Sequence, residues 1–300
     1  MARPESVALG GYYPTPLRVI PMIAALIDAQ AAFEKNRGGV YPMYNLADPC
    51  AGDGAALVAL AKALFGHVAG RNDGPRVNCY GCEMEAVRAD GLRKALGPLW
   101  YSRGYYNDGH YALHGDAFNL DWRGDAQANL LYLNPPYDDD VDYGRLEHRF
   151  LTRFTGLLRP GKGILVFVVP GHALAASAAY LAQEYDGIAC YRFPDPDYAA
   201  FKQAVLIATR RAYPSPLPMD DSPTAVTIRS WAANPRSLTP LTLDVPYAAR
   251  LPEDGGGSLA WQLEEVDLSA LYAFSRPFMS GKGERIRPLS GLGLDTAVTD

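Results

Sequence analysis

The sequence predicts an α/β domain built on a largely parallel sheet, and three observations predict it. Apolar runs of strand length alternate with Ala- and Leu-rich helix-like stretches through the first two-thirds of the chain. One run, Ile164 to Val169, is continuously apolar, the pattern of a strand buried on both faces. Acidic or glycine-containing turns follow the strand-like runs at Asp48, Glu83 and Gly115-Asp116, and open α/β sheets bind ligands at the carboxyl ends of their strands.

The elements follow in order. Leu17 to Phe33, rich in Ala and Ile, reads as a helix with Pro16 and Pro21 near its start. Tyr44 to Asp48 is a strand and Ala55 to Phe65 a helix; Val77 to Glu83 and Ala86 to Leu96 repeat that pair. Tyr111 to His114 and Leu130 to Leu133 are two more strands. Tyr143 to Leu158 is an amphipathic helix closed by Arg159-Pro160-Gly161. Ile164 to Val169 is a strand, and the runs Ile188 to Phe193 and Ala204 to Thr209 flank a Pro- and Asp-rich loop. Beyond about Tyr213 proline becomes frequent, and the glycine run Gly255 to Gly257 marks a turn or loop. Ala225 to Trp231 and Leu241 to Val245 read as strands there. The expected organisation is a catalytic domain over 1–212 and a small C-terminal accessory region over 213–300, rich in strands and loops.

Composition narrows the function classes. A hydrophobic content of 48% is too high for a disordered chain. No run approaches the roughly 20 apolar residues that span a bilayer, and MARPESVALGG lacks a basic segment followed by an apolar core. A cytoplasmic protein with no membrane partner is the expectation. The formal net charge of -5 excludes a generally basic nucleic-acid coat, but not a local basic groove. Four cysteines in 300 residues make no disulfide framework. Cys79 and Cys82 form a single C-x-x-C on a strand, where residues three apart point to opposite faces. They read as structural, and no metal site is expected.

The strongest local feature is Asp48-Pro49-Cys50-Ala51-Gly52-Asp53-Gly54, between a strand and a helix. Gly52 and Gly54 let the backbone turn tightly and approach a ligand, and the following helix offers unpaired N–H groups. The loop resembles a dinucleotide-binding turn, but position 57 is Leu where the G-x-G-x-x-G spacing requires Gly. Asp48 and Asp53 would repel a pyrophosphate. A ligand with a cationic end fits better, and S-adenosylmethionine carries an ammonium and a sulfonium and no phosphate. Glu83, ending the next strand, can accept both ribose hydroxyls of a nucleoside. Asp116 can bond an adenine amino group, beside Ala117, with Phe118 packing on the ring. Each acid alone also reads as a solvated loop carboxylate; their succession at strand ends favours a site.

Asn134-Pro135-Pro136-Tyr137 follows the strand Leu130 to Leu133. The prolines stiffen the turn and cannot donate, so the Asn134 side-chain oxygen and the Pro135 carbonyl are free to accept from one NH2 group. An aromatic amine is a poor nucleophile because its lone pair is delocalised. Two acceptors localise that lone pair, and attack on a methyl held in line then depends on positioning. Tyr137 supplies a flat face for a planar substrate.

Together Asp48 to Gly54, Glu83, Asp116 and Asn134 to Tyr137 resemble the motifs of class I S-adenosylmethionine-dependent methyltransferases, in an order similar to gamma-type N6-adenine DNA methyltransferases. The resemblance covers roughly residues 10–212. It implies a Rossmann-like, seven-stranded, mostly parallel sheet with the last strand antiparallel and helices on both faces. It implies S-adenosylmethionine as cofactor, with Tyr13-Pro14-Thr15-Pro16 helping to hold its methionine end and Met84 following Glu83 in the cofactor set. It implies DNA as partner, with the target adenine flipped out of the helix. An aromatic residue before the antiparallel strand packs on the flipped base in such enzymes, and both Tyr198 and Phe201 qualify.

Arg145, Arg149 and Arg153 recur every four residues beside the apolar stripe Leu146, Phe150, Phe154 and Leu157. They form either a phosphate-contacting edge or a solvated helix face. Arg276, Lys282, Arg285 and Arg287 form a second basic cluster in the tail, and Asp138-Asp139-Asp140 weighs against phosphate beside Tyr137. Three functions fit the residues: methylation of adenine N6 in DNA, the same chemistry on RNA adenine or a protein glutamine amide, or a non-catalytic cofactor- or DNA-binding subunit of a modification or defence complex. A partner subunit for target recognition suits the first and third.

Overall fold

The computed structural model describes residues 13–66, 74–97, 111–122, 127–137, the backbone of 139–140, 144–216, 219–252, 259 and 261–263. Asp138, Tyr143, the glycine run at 255–257 and the basic cluster from Arg276 to Arg287 lie outside these residues. The chain divides into two units, Met1–Leu263 and Glu264–Asp300, and every described residue belongs to the first.

Seven strands form the central sheet: β1 (Met43–Asp48), β2 (Arg76–Glu83), β3 (Tyr111–His114), β4 (Leu130–Leu133), β5 (Ile164–Pro170), β6 (Tyr185–Arg192) and β7 (Gln203–Arg210). Their spatial order is β6-β7-β5-β4-β1-β2-β3. The ladders joining β3, β2, β1, β4 and β5 are parallel, and β7 runs antiparallel to both β5 and β6. The sheet thus has the seven-stranded, mostly parallel form expected, with the final strand reversed. Parallel ladders require both faces to be covered, because the connections cross over them.

The helices are α1 (Ile20–Ala24), α2 (Ala55–Phe65), α3 (Ala86–Leu96), α4 (Leu146–Phe154), α5 (Leu174–Glu184), α6 (Asp197–Phe201) and α7 (Pro223–Ala233). Alternation along β5 builds two cores. Val166 and Val168 join Ile20, Leu57, Leu60 and Leu92 on one face. Leu165 and Phe167 join Phe154, Leu174, Leu181 and Ile228 on the other. Cys79 and Cys82 divide between the same two cores, and burial raises each thiol pKa to about 12.

The helix expected over Tyr143 to Leu158 is shorter, α4 running from Leu146 to Phe154 after Gly144 and Arg145 pair antiparallel with Asp140 and Asp139, and three further elements differ. Leu17 to Phe33 is not one helix: α1 ends at Ala24, and Gln30–Phe33 is a 3₁₀ turn. Between them Ile27 and Asp28 pair in parallel with Ala249 and Arg250, and the Leu26 carbonyl accepts from Ala248 and Ala249 N–H. That tertiary ladder takes a carbonyl a continuing helix would need, and overrides local propensity. Ala225 to Trp231 is helical rather than extended. Ser222 caps the helix by accepting from Ala225 N–H at 3.2 Å, and Pro223 occupies its first turn. Leu241 to Val245 forms no strand; Leu241 is buried and bonds the Arg192 carbonyl, while Leu243 is exposed.

Among the described residues no helix is long and apolar enough to cross a membrane.

Candidate active site

The site lies at the carboxyl ends of β1, β4 and β5, where the N-terminal segment crosses them. Asp48 closes β1 and is buried. Its Oδ1 accepts from Cys50 N–H at 3.0 Å. Burial raises its pKa to about 7 and outweighs the Cys50 N–H, with the nearby Glu83 charge adding to the rise. The Cys50 thiol is also pushed up, by burial first and then by Asp48. Gly52 (φ 56°) and Gly54 (φ 80°) take left-handed conformations, and a Cβ on Gly54 would stand 2.8 Å from Leu92 Cδ1. Only glycine serves both demands at position 54. Pro49 and Ala51 are buried, and Ala51 N–H bonds the Cys82 carbonyl, tying the loop to β2. Asp53 is exposed and caps the start of α2 through Ala55 N–H at 3.1 Å.

Glu83 ends β2, buried, with both carboxylate oxygens accepting from protein donors. Oε2 accepts from Gly52 N–H at 3.0 Å. Oε1 accepts from Glu85 N–H at 2.9 Å and from Arg88 Nε and Nη2 at 3.0 and 2.8 Å. Met84 beside it is exposed. Asp116 is exposed and caps the short turn at Ala117 by accepting from Phe118 N–H at 2.9 Å. Phe118 meets Phe150 edge to face at 4.8 Å, and the Arg149 guanidinium lies over its ring at 5.0 Å.

Asn134 follows β4 and is clamped from both sides. Its Nδ2 donates to the Tyr13 carbonyl at 2.8 Å and to Thr15 Oγ1 at 3.3 Å. Its Oδ1 accepts from Tyr137 Oη at 2.6 Å. Thr15 in turn bonds Tyr132 Oη, buried in β4. Pro135 is buried and Pro136 half-buried. Burial holds the Tyr137 phenol far above its usual pKa, against a hydrogen bond from Gln203. The Tyr137 ring stacks on Tyr13, and Phe201 meets Tyr13 edge on at 5.5 Å. A cavity of about 490 Å³ opens here, lined among others by Thr15, Pro16, Asp48, Asp53, Asn134 and Phe201.

Of the expected residues, the structure therefore brings the N-terminal segment, the glycine loop, Asn134 to Tyr137 and Phe201 together. Glu83, Met84, Asp116, Ala117 and Phe118 stand along the neighbouring strand ends, outside that lining. Tyr198 is buried in the core under the Arg192 guanidinium, 5.2 Å from its ring. Arg145 pairs with Glu147, and Arg153 lies over Trp122 at 4.6 Å while donating to the Leu120 carbonyl. The sequence did not mark Tyr132 or Gln203. Gln203 carried one signal, a polar residue heading the apolar run of β7.

The residues present suit a ligand with a cationic end. Two carboxylates line the cavity, one of them buried, and the loop before α2 is shaped by glycines rather than lined with cations. Asn134 meanwhile offers an oriented amide oxygen at the same cavity.

Residues 5–253 match the model of an uncharacterised methyltransferase family, DUF6094. None of the curated proteins matches the chain. Among solved structures, a protein described as a class I S-adenosylmethionine-dependent methyltransferase from Listeria monocytogenes is similar at 14% identity, over 75% of this chain and 72% of its own, with a TM-score of 0.52. That likeness shows the fold. A type I restriction-modification methyltransferase subunit from Streptococcus thermophilus aligns at 15% identity over 66% of this chain, with a TM-score of 0.46. A modification subunit of a type I restriction enzyme from Vibrio vulnificus aligns at 17% over 70%, with a TM-score of 0.45. This chain spans 45% and 46% of those two proteins.

Proposed function

The chain belongs to the methyltransferase family DUF6094, and from that premise we propose that it transfers a methyl group from S-adenosylmethionine to the exocyclic N6 amine of adenine in DNA. The observation that carries this is the clamped Asn134 amide beside an acidic cavity. S-adenosylmethionine supplies an electrophilic methyl on a sulfonium. Asp48 and Asp53 hold its cationic end, Thr15 and Pro16 close over the methionine portion, and the glycine loop from Pro49 to Gly54 admits it closely. Glu83, Met84, Asp116, Ala117 and Phe118 line the path of its nucleoside.

Asn134 Oδ1 has two lone pairs, and Tyr137 takes one. The second, with the Pro135 carbonyl, accepts the two protons of an NH2 group. With S-adenosylmethionine bound, that arrangement would hold the nitrogen lone pair toward the methyl, so that the N–C bond would form as the S–CH3 bond breaks, leaving S-adenosylhomocysteine, with one nitrogen proton lost to solvent afterwards and no strong base required. Tyr137 and Phe201 bound the planar target, while Tyr198 is held in the core beneath Arg192. Arg145, at the N-cap of α4, and Arg149, within it, contribute phosphate contacts. Residues 1–212 carry the transfer chemistry and 213–300 contribute to target contact, alone or with a partner subunit of a restriction-modification type assembly in the cytoplasm.

The test is incubation with tritiated S-adenosylmethionine and DNA, RNA or a protein extract. The expected label is in DNA, as N6-methyladenine after digestion to nucleosides. Label confined to RNA or protein replaces the substrate, and label nowhere leaves a binding subunit.

A further inference from the structure

Gln203 heads β7, opposite Pro170 at the end of β5, and its side chain is fully buried. Its Nε2 donates to Tyr137 Oη at 2.7 Å, and its Oε1 has no hydrogen-bond partner among the described residues. A buried amide with one end unsatisfied is costlier than an apolar side chain of the same size. The donor end must therefore do something an apolar residue cannot.

The direction of the hydrogen bonds says what that is. The Tyr13 carbonyl can only accept, so the Asn134 atom 2.8 Å from it is the NH2. Asn134 Oδ1 then faces Tyr137 Oη, and Tyr137 donates. Its single proton committed, Tyr137 Oη can only accept from Gln203, which must present Nε2. A competing acceptor stands close: the Val168 carbonyl is 3.4 Å from the same hydroxyl.

We propose that Gln203 is a positioning residue for methyl transfer: its donation to Tyr137 directs the tyrosine's proton to Asn134 rather than Val168, fixing the Tyr137 ring and the Asn134 oxygen toward the target nitrogen. It rests on the assignment of Asn134 as the acceptor of the target NH2. Gln203 touches neither methyl donor nor target, and acts through Tyr137.

Gln203→Leu and Gln203→Glu test this at saturating methyl donor. The leucine variant lowers kcat about tenfold relative to wild type at every pH, the effect of losing one orienting hydrogen bond. The glutamate variant behaves differently on either side of its own titration. As the neutral acid it donates to Tyr137 and retains wild-type kcat. As the carboxylate it can only accept, draws the Tyr137 proton away from Asn134, and falls to the leucine level. KM for the methyl donor stays unchanged in both.

A ¹³Cζ-tyrosine NMR signal assigned to Tyr137 follows the same hydroxyl without turnover. It shifts in Gln203→Leu and, across the same pH step, in Gln203→Glu. Equal loss in both variants with no pH step marks a packing role and overturns the proposal, as do wild-type kcat and an unmoved signal. Should the wild-type protein methylate no amine, the assignment of Asn134 fails, while the Tyr137 signal still decides whether Gln203 directs the hydroxyl. The glutamate variant is read as its ratio to wild type at each of two pH values, which cancels the titration of Asp48, so a misfolded leucine variant leaves the test intact.

Discussion

The rings of Tyr13 and Tyr137 lie nearly parallel, with centroids 5.0 Å apart and 9° between their planes. Tyr13 thus covers one face of Tyr137, and Phe201 meets Tyr13 edge on. A third ring cannot enter that spacing, so a planar target that stacks on this face of Tyr137 must displace the Tyr13 ring. The Tyr13 carbonyl that holds Asn134 belongs to the backbone and survives side-chain truncation. Tyr13→Ala therefore lowers KM for the acceptor by about 2- to 10-fold, the worth of one aromatic pair, with kcat little changed. Steady-state kinetics on the methylated substrate measure this; a raised KM would show that Tyr13 is part of the binding wall.

Asn134→Ala removes the acceptor and leaves the cavity's carboxylates in place. Its kcat is expected to fall about 100-fold or more, because the lost interaction belongs to the transition state. Affinity for the methyl donor, measured by calorimetry, stays nearly unchanged. Equal loss of both would assign Asn134 a structural role through its bond to the Tyr13 carbonyl.

Local pattern made much of this legible. α2 and α3 have the bounds their periodicity implied, and the glycine loop and Asn134 to Tyr137 fall at strand ends as read. Elements set by distant partners were not legible. Residues 17–33 are interrupted by pairing with residues about 220 positions later, which no local window contains. Tyr198 and Phe201 are three apart on the short helix α6, so spacing could not separate them. Docking does, since Arg18 bonds Asp197 and Arg192 covers Tyr198, turning Phe201 to Tyr13. Glu83 was placed correctly at its strand end, but its capture by Arg88 depends on a side chain reaching back from the first turn of α3.

That capture gives a stability prediction. Glu83 joins the glycine loop, β2 and α3 through four hydrogen bonds. Glu83→Ala leaves two backbone N–H groups without their acceptor and takes the carboxylate from beside the Arg88 guanidinium at a mostly buried position. Loss of one partner of such a pair is expected to cost about 3 kcal/mol, read as a lower urea midpoint with an unchanged slope. An unchanged midpoint would mean that solvent replaces these bonds at no cost.

Asp48 couples the site to pH. Its folded pKa is about 7, against an ordinary value of 3.8. Below pH 4 the carboxyl is protonated in both folded and unfolded chains and contributes nothing. Between pH 4 and 7 the unfolded chain ionises while the folded chain keeps its proton. Stability therefore falls as pH rises through that window, by on the order of 4 kcal/mol, and is flat above it. Asp48→Asn removes this slope. A cation bound beside Asp48 favours the carboxylate, so methyl-donor binding below pH 7 releases a proton. Affinity should climb with pH to about 7. Calorimetry in two buffers of different ionisation enthalpy counts the proton directly. Asp48→Asn should bind more weakly and release none; proton release that persists in the variant would place the titrating group elsewhere.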